Sequence, residues 1–180
     1  MADVRQTIQD FYTQAQVKDF ARTNLFRVLD ISLGGTDVEF GEEEMVYATT
    51  ATLPGKSITT IPVPYMGLNF NVPGNVQYDG SDAYAIEFRC DEKYDLRNKF
   101  LQVVADTFDD ADSTGNYFTP TADSVIDLVL LDKEMNKVDQ YQLVGCAIKS
   151  VGPMSFDVTA AGTEQKFSVN LSYHYFRQRS

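Results

Sequence analysis

Several stretches of this chain alternate apolar and polar residues with a period of two. Phe167, Val169, Leu171, Tyr173 and Tyr175 are separated by Ser168, Asn170, Ser172 and His174. Tyr84, Ile86, Phe88 and Cys90 are separated by Ala85, Glu87 and Arg89, and Leu29, Ile31 and Leu33 by Asp30 and Ser32. Successive side chains of a strand point to opposite faces, so each stretch predicts a half-buried strand of an antiparallel sheet. Residues 125–131 are apolar in both phases and, with the polar tip Lys133-Glu134-Met135-Asn136 and the run 137–148, predict a hairpin. Helical spacing occurs twice. Residues 3–15 align Val4, Ile8, Phe11 and Ala15, and residues 93–107 align Leu96, Phe100, Val103, Val104 and Thr107 behind Asp91 and Glu92. With no strand–helix–strand alternation, a parallel sheet is excluded. The expected fold is mainly β: an antiparallel β-sandwich or barrel with one packed core helix and a short N-terminal helix, in a single domain over 1–180.

One segment departs from this regularity. Residues 45–74 hold four of the six prolines, yet they are rich in β-branched and aromatic residues. Pro54, Pro62, Pro64 and Pro73 do not belong in a central strand, and the segment is too apolar for an ordinary solvent loop. Two readings stand side by side. One is an extended arm, centred on about 45–65, that packs on another subunit; the other is an edge strand and loop folded over the chain's own core.

Charge narrows the function. The 180 residues carry 26 Asp and Glu against 15 Lys and Arg, a net charge of −11. A chain with that balance does not grip a phosphate backbone by broad neutralisation or dock on anionic lipid. The charge is local, since residues 121–180 carry 7 acids against 6 bases. It concentrates in Asp37, Glu39, Glu42, Glu43 and Glu44, and again in Asp106, Asp109, Asp110 and Asp112. The simplest account of both groups is solvated loops. No apolar run approaches the roughly 20 residues of a helical membrane span, and the N-terminus lacks a secretory pattern, so synthesis in a cytoplasm is expected. Cys90 and Cys146 lack the spacing of a zinc or redox motif; they read as small buried hydrophobes, with a single disulfide between them left open.

The chemical motifs are weak. Gly55-Lys56-Ser57 has the end of a phosphate-binding loop, but Thr50 stands where its first glycine belongs, and prolines follow instead of a helix. Asp110, Asp112, Thr114, Gly115 and Asn116 have the spacing of a calcium loop, but Thr121 replaces the bidentate glutamate. His174 is the only histidine, and no nucleophile elbow accompanies it. No catalytic residue, cofactor or metal is expected.

Asp19-Phe20-Ala21-Arg22-Thr23-Asn24-Leu25-Phe26-Arg27-Val28 resembles the opening of tail tube proteins of contractile-tailed bacteriophages, with Thr23 in place of a proline. The similarity runs on through Ala51-Thr52-Leu53-Pro54, Ile61-Pro62-Val63, Tyr65-Met66 and Asn71-Val72-Pro73-Gly74. It continues in strand 84–90, in the helix bearing Asp95, Arg97, Lys99 and Phe100, and in the closing strand 167–175. This resemblance implies a structural, non-enzymatic virion protein. Six copies form a ring whose sheets join into an inner barrel, and rings stack into the tube of a contractile tail, assembled in a host bacterial cytoplasm. Sheath, baseplate, tail-terminator and tape-measure proteins are the implied partners, and DNA passes without specific binding during ejection. Leu53, Pro54, Ile61, Pro62 and Tyr65 are then expected in an inter-subunit arm, and the two acidic groups are candidates for the lumen wall. The alternatives are the tube of a type VI secretion or other contractile injection system and, from another class, a carbohydrate-binding β-sandwich module.

Overall fold

The computed structural model describes residues 7–179 except 19, 118 and 161. In chain order its elements are α1 (Ile8–Val17), β1 (Phe26–Ser32), a single 3-10 turn (Glu44–Tyr47), β2 (Ala48–Thr50), β3 (Gly55–Tyr65) and β4 (Leu68–Asp79). β5 (Tyr84–Arg89), α2 (Asp95–Thr107), β6 (Phe108–Asp109), β7 (Thr114–Gly115) and β8 (Val125–Leu131) follow. β9 (Lys137–Val144), β10 (Ala147–Val151), β11 (Lys166–Ser172) and β12 (Tyr175–Arg179) complete the chain. Two four-stranded antiparallel sheets, ordered β1-β8-β9-β12 and β10-β11-β5-β2, turn their apolar faces into one core. The fold is the expected mainly-β architecture with two helices.

The alternation reads directly into burial. Tyr84, Ile86 and Phe88 of β5 and Phe167, Val169 and Leu171 of β11 are all buried. α2 lays Leu96, Phe100 and Val103 into the same core, where each buried side chain contributes roughly 1.5–3 kcal/mol. Phe100 meets Phe40, Phe88 and Phe167 with ring centroids 4.7, 5.3 and 6.1 Å away. Asp91 Oδ2 accepts the backbone N–H of Asp95 at 3.1 Å, the helix-start role its carboxylate favours.

Local irregularities shift three expectations. In β1 a bulge between Val28 and Asp30 resets the phase, so Val28 and Ile31 are buried while Leu29 is only half-buried. The predicted strand 167–175 breaks at Tyr173–His174, because the chain leaves one sheet there and enters the other as β12. The predicted return strand 137–148 divides at Gly145 for the same reason. The two crossings touch: the His174 N–H donates to the Val144 carbonyl at 2.9 Å. Ser124 anchors this corner. Its carbonyl accepts the N–H groups of Gly145 and Cys146 at 2.9 and 3.0 Å, and its hydroxyl accepts that of Gly34 at 2.9 Å.

α1 runs from Ile8 to Val17, two residues beyond the end of the predicted helix 3–15; Val4 lies outside the described residues. Thr7 and Asp10 cap it reciprocally, which lowers the Asp10 pKa through the Thr7 N–H and hydroxyl. None of its residues is buried. Both cysteines are free thiols, and burial pushes Cys146 up to about 12, so it stays protonated and inert. No helix among the described residues is long and apolar enough to cross a membrane.

Candidate assembly surfaces

Among the described residues β3 and β4 pair as strands only with each other, and they form a long two-stranded hairpin over 55–79. This arm lies later in the chain than the expected 45–65. The segment 45–50 belongs to the body, where Met45 is buried and β2 pairs with β5. Gly67, at φ +81°, makes the tip turn together with Met66. The base is fixed. Tyr78 packs edge-on against Phe176 at 5.6 Å, the Tyr173 hydroxyl donates to the Asp79 carbonyl at 3.0 Å, and Ser57 donates to the Asp79 carboxylate at 3.0 Å.

Register sorts the arm into two unlike faces. Ile61 pairs with Val72, Val63 with Phe70 and Tyr65 with Leu68, so these six side chains share one side. Thr60 opposite Pro73, Pro62 opposite Asn71 and Pro64 opposite Asn69 make the other side. The prolines thus fall in a two-stranded ribbon, where both outer edges lack a ladder partner. The apolar side is bare: Tyr65 is 62% exposed, Leu68 63% and Phe70 51%. A two-stranded ribbon with an uncovered apolar face is marginal in water alone.

A second apolar surface lies on the body. Ala21, Leu25, Phe26, Leu53, Leu128 and Leu130 line an open groove of about 510 Å³. The five candidate interface residues therefore divide among four places. Ile61 and Tyr65 are on the apolar side of the arm, and Pro62 is on its proline side. Leu53 lines the body groove, and half-buried Pro54 immediately precedes β3. Phe70, Val72 and Leu68 were missed by sequence reasoning; only the cross-strand register reveals that they complete the face of Ile61.

The two acidic groups flank α2. Thr36 donates to Asp106 at 2.6 Å, and Lys99 sits 2.7 Å from Glu44 while also donating to the Glu39 carbonyl at 3.1 Å. Glu44 also accepts the Gly41 N–H at 2.8 Å. Glu44 and Asp106 are thus held by local partners, and Asp109 accepts the Ala111 N–H at 2.8 Å. Asp37, Glu39, Glu42, Glu43, Asp110 and Asp112 are exposed. The calcium-like residues 110–116 form the turn after β6, β7 itself and the residue beyond it, and Gly55-Lys56-Ser57 opens β3. No group of three or more His, Cys, Asp or Glu among the described residues is placed to hold a metal ion.

Among the described residues the first sheet has open edges at β1 and β12. One row crosses it on the face away from the core: Asp30 opposite Asp127, Asp127 opposite Gln142, Gln142 opposite Arg177. The next row runs Arg27, Val129, Gln140, Arg179. Like charges directly opposite each other are unfavourable. Burial, then the Asp127 carboxylate, push the Asp30 pKa above its ordinary value. Gln142 Nε2 donates to Asp127 Oδ2 at 3.5 Å, while Asp127 Oδ1 is buried with no hydrogen-bond partner among the described residues.

No protein-family model matches the chain, and no curated protein does. Solved structures do. A chain of the anti-feeding prophage (AFP) baseplate superposes with TM-score 0.64 at 12% identity, covering 90% of this chain and 97% of that one. The two chains share a fold. A chain of the AFP tube-terminating cap gives TM-score 0.61 at 15% identity, covering 100% of this chain and 99% of that one. A chain of the sheath–tube complex of an extracellular contractile injection system, PVC, gives 0.54 at 15% identity, covering 98% and 99%. The structural neighbours agree with the fold that the tail-tube resemblance implies.

Proposed function

We propose that this chain is a structural tube protein of a contractile tail, forming hexameric rings that stack into a conduit. The observation that carries the reading is the arm: an ordered ribbon with an apolar face that its own body does not cover. The same chain carries an apolar groove and a sheet with two free edges, which is what a head-to-tail assembly requires, because such contacts join unlike patches and close into rings or continue into tubes. The shared fold with chains of baseplate, cap and sheath–tube assemblies supports it.

In this reading the sheath, baseplate and tail-terminator proteins are partners, and DNA and tape-measure protein move through the bore. The exposed acids beside α2 then serve as a wall that repels phosphates and lets DNA slide. A second reading, the tube of an extracellular contractile injection system, is favoured by the AFP and PVC similarities. The two share rings and tube and differ in what the bore carries. A carbohydrate-binding module draws no support from the groove, whose lining is mainly aliphatic.

Replacing residues 60–73 by an Asn-Gly turn tests the arm. The shortened protein keeps its core and its cooperative melting and forms no tubes. Normal tubes from that variant would remove the arm from assembly.

A further inference from the structure

The two edges of the first sheet are charged differently: β1 presents Arg27 and Asp30, and β12 presents Arg177 and Arg179. Asp30 faces Asp127 of the neighbouring strand β8, and Glu42 lies close enough to add to the repulsion on Asp30. Among the described residues neither aspartate has a basic side chain within ion-pair distance. At the β12 edge stand Arg177 and Arg179, both exposed. Arg177 lies over the ring of its own Tyr175 at 5.2 Å and donates to that hydroxyl at 2.7 Å; it has no carboxylate partner among the described residues. The β1 side thus has an aspartate couple without a basic partner, next to Arg27, and the β12 side has two arginines without acids.

We infer that β12 of one copy docks along β1 of the next, seating Arg177 and Arg179 on the Asp30–Asp127 couple as the lateral joint of the ring. The inference rests on the ring reading above and names its contact. Strand direction allows it: the order β1-β8-β9-β12 is antiparallel throughout, so β12 beside the next β1 continues the pattern. Charge also selects the register. Straight continuation of the rows sets Arg177 opposite Asp30 but Arg179 opposite Arg27. A stagger of two residues places Arg179 opposite Asp30, keeps Arg177 on the diagonal, and moves Arg27 past Arg179. Long side chains reach diagonal neighbours on one face, and a sheet closing on itself needs such a stagger. The repulsion at Asp30 in the single copy becomes attraction in the ring, so the couple favours the assembled state.

Two oppositely charged variants test this. One carries Arg177→Glu with Arg179→Glu, and the other carries Asp30→Lys. Each alone has an acid facing acid or a base facing base at every joint, and is expected to stay monomeric by light scattering and negative-stain microscopy. Mixed in equal amounts they are expected to form rings of alternating copies, because each variant supplies the edge that the other needs. Rings from either variant alone, or a mixture of folded variants that stays monomeric, would overturn the joint. The neutral variants Asp30→Asn and Arg177→Gln/Arg179→Gln give a second reading should a charge reversal disturb the fold. Ring affinity should drop at least tenfold at low salt and lose much of its salt dependence; unchanged affinity and salt dependence would also overturn it. If the unaltered protein forms rings while the joint variants do too, only the joint falls. If the unaltered protein forms no rings at all, the ring reading falls and takes the joint with it.

Discussion

Lys99 Nζ lies 2.7 Å from Glu44 Oε1 and 3.1 Å from the Glu39 carbonyl, so one side chain of α2 fastens the loop between β1 and β2. That loop carries the first acidic group. Five carboxylates close together repel one another, and this clamp, with Thr36 on Asp106, holds the loop against the helix. Glu44 is the more enclosed partner, with its side chain 16% exposed.

Lys99→Met is expected to destabilise the folded chain by about 1–2 kcal/mol, because it leaves Glu44 half-buried with only the Gly41 N–H. The pair Lys149–Asp82, 2.9 Å apart with the aspartate 90% exposed, is the control. Lys149→Met should cost about 0.5 kcal/mol or less. Thermal melts of the two variants compare them; equal losses would show that Lys99 acts as a surface charge.

Gly145 holds φ +73°, and a Cβ there would run into the His174 imidazole. Gly145→Ala should cost about 1–2 kcal/mol for the backbone alone and more for the collision. For a chain of this length each kcal/mol is worth about 2–4 °C in Tm. Adding His174→Ala should recover the steric part and leave the backbone part. Full recovery, or none, would contradict this account of the corner.

Asp30 should show its environment in pH. Its folded pKa is raised by burial, then by Asp127, with a smaller push from Glu42, against the Ile31 N–H that lowers it. The sign follows: the favourable contribution of the protonated group is fully present below the ordinary Asp value and is lost as pH rises through the folded value. Asp30→Asn should therefore raise the Tm of the monomer at neutral pH, and the gain should vanish as pH falls through the ordinary carboxylate range. A gain that persists in acid would point to a cause other than charge. The same substitution should weaken rings, so monomer stability and assembly would move in opposite directions.

Much of this was legible in the sequence. The period of two located β5 and β11 because both are regular and buried on one face. The helical stripe Leu96, Phe100, Val103 located α2 because those residues meet the core. Periodicity failed where the chain changes sheets, at Gly145 and at Tyr173–His174, since an alternating pattern runs on through a corner that only the partner strands define. It also failed at the Leu29 bulge, which resets phase without altering composition. The arm announced itself through prolines among apolar residues, but its bounds did not. Residues 45–50 are as apolar as 61–72, and only pairing separates a body strand from the ribbon. The charged row from Asp30 to Arg177 spans four strands and more than a hundred residues of sequence, so no local pattern contains it.

The central claim is that this chain assembles with itself through surfaces a single copy leaves open. Negative-stain microscopy of the purified protein over a range of concentrations tests it most directly. The account predicts rings of six subunits and, as concentration rises, hollow tubes of uniform width. A featureless monomer at every concentration would contradict it.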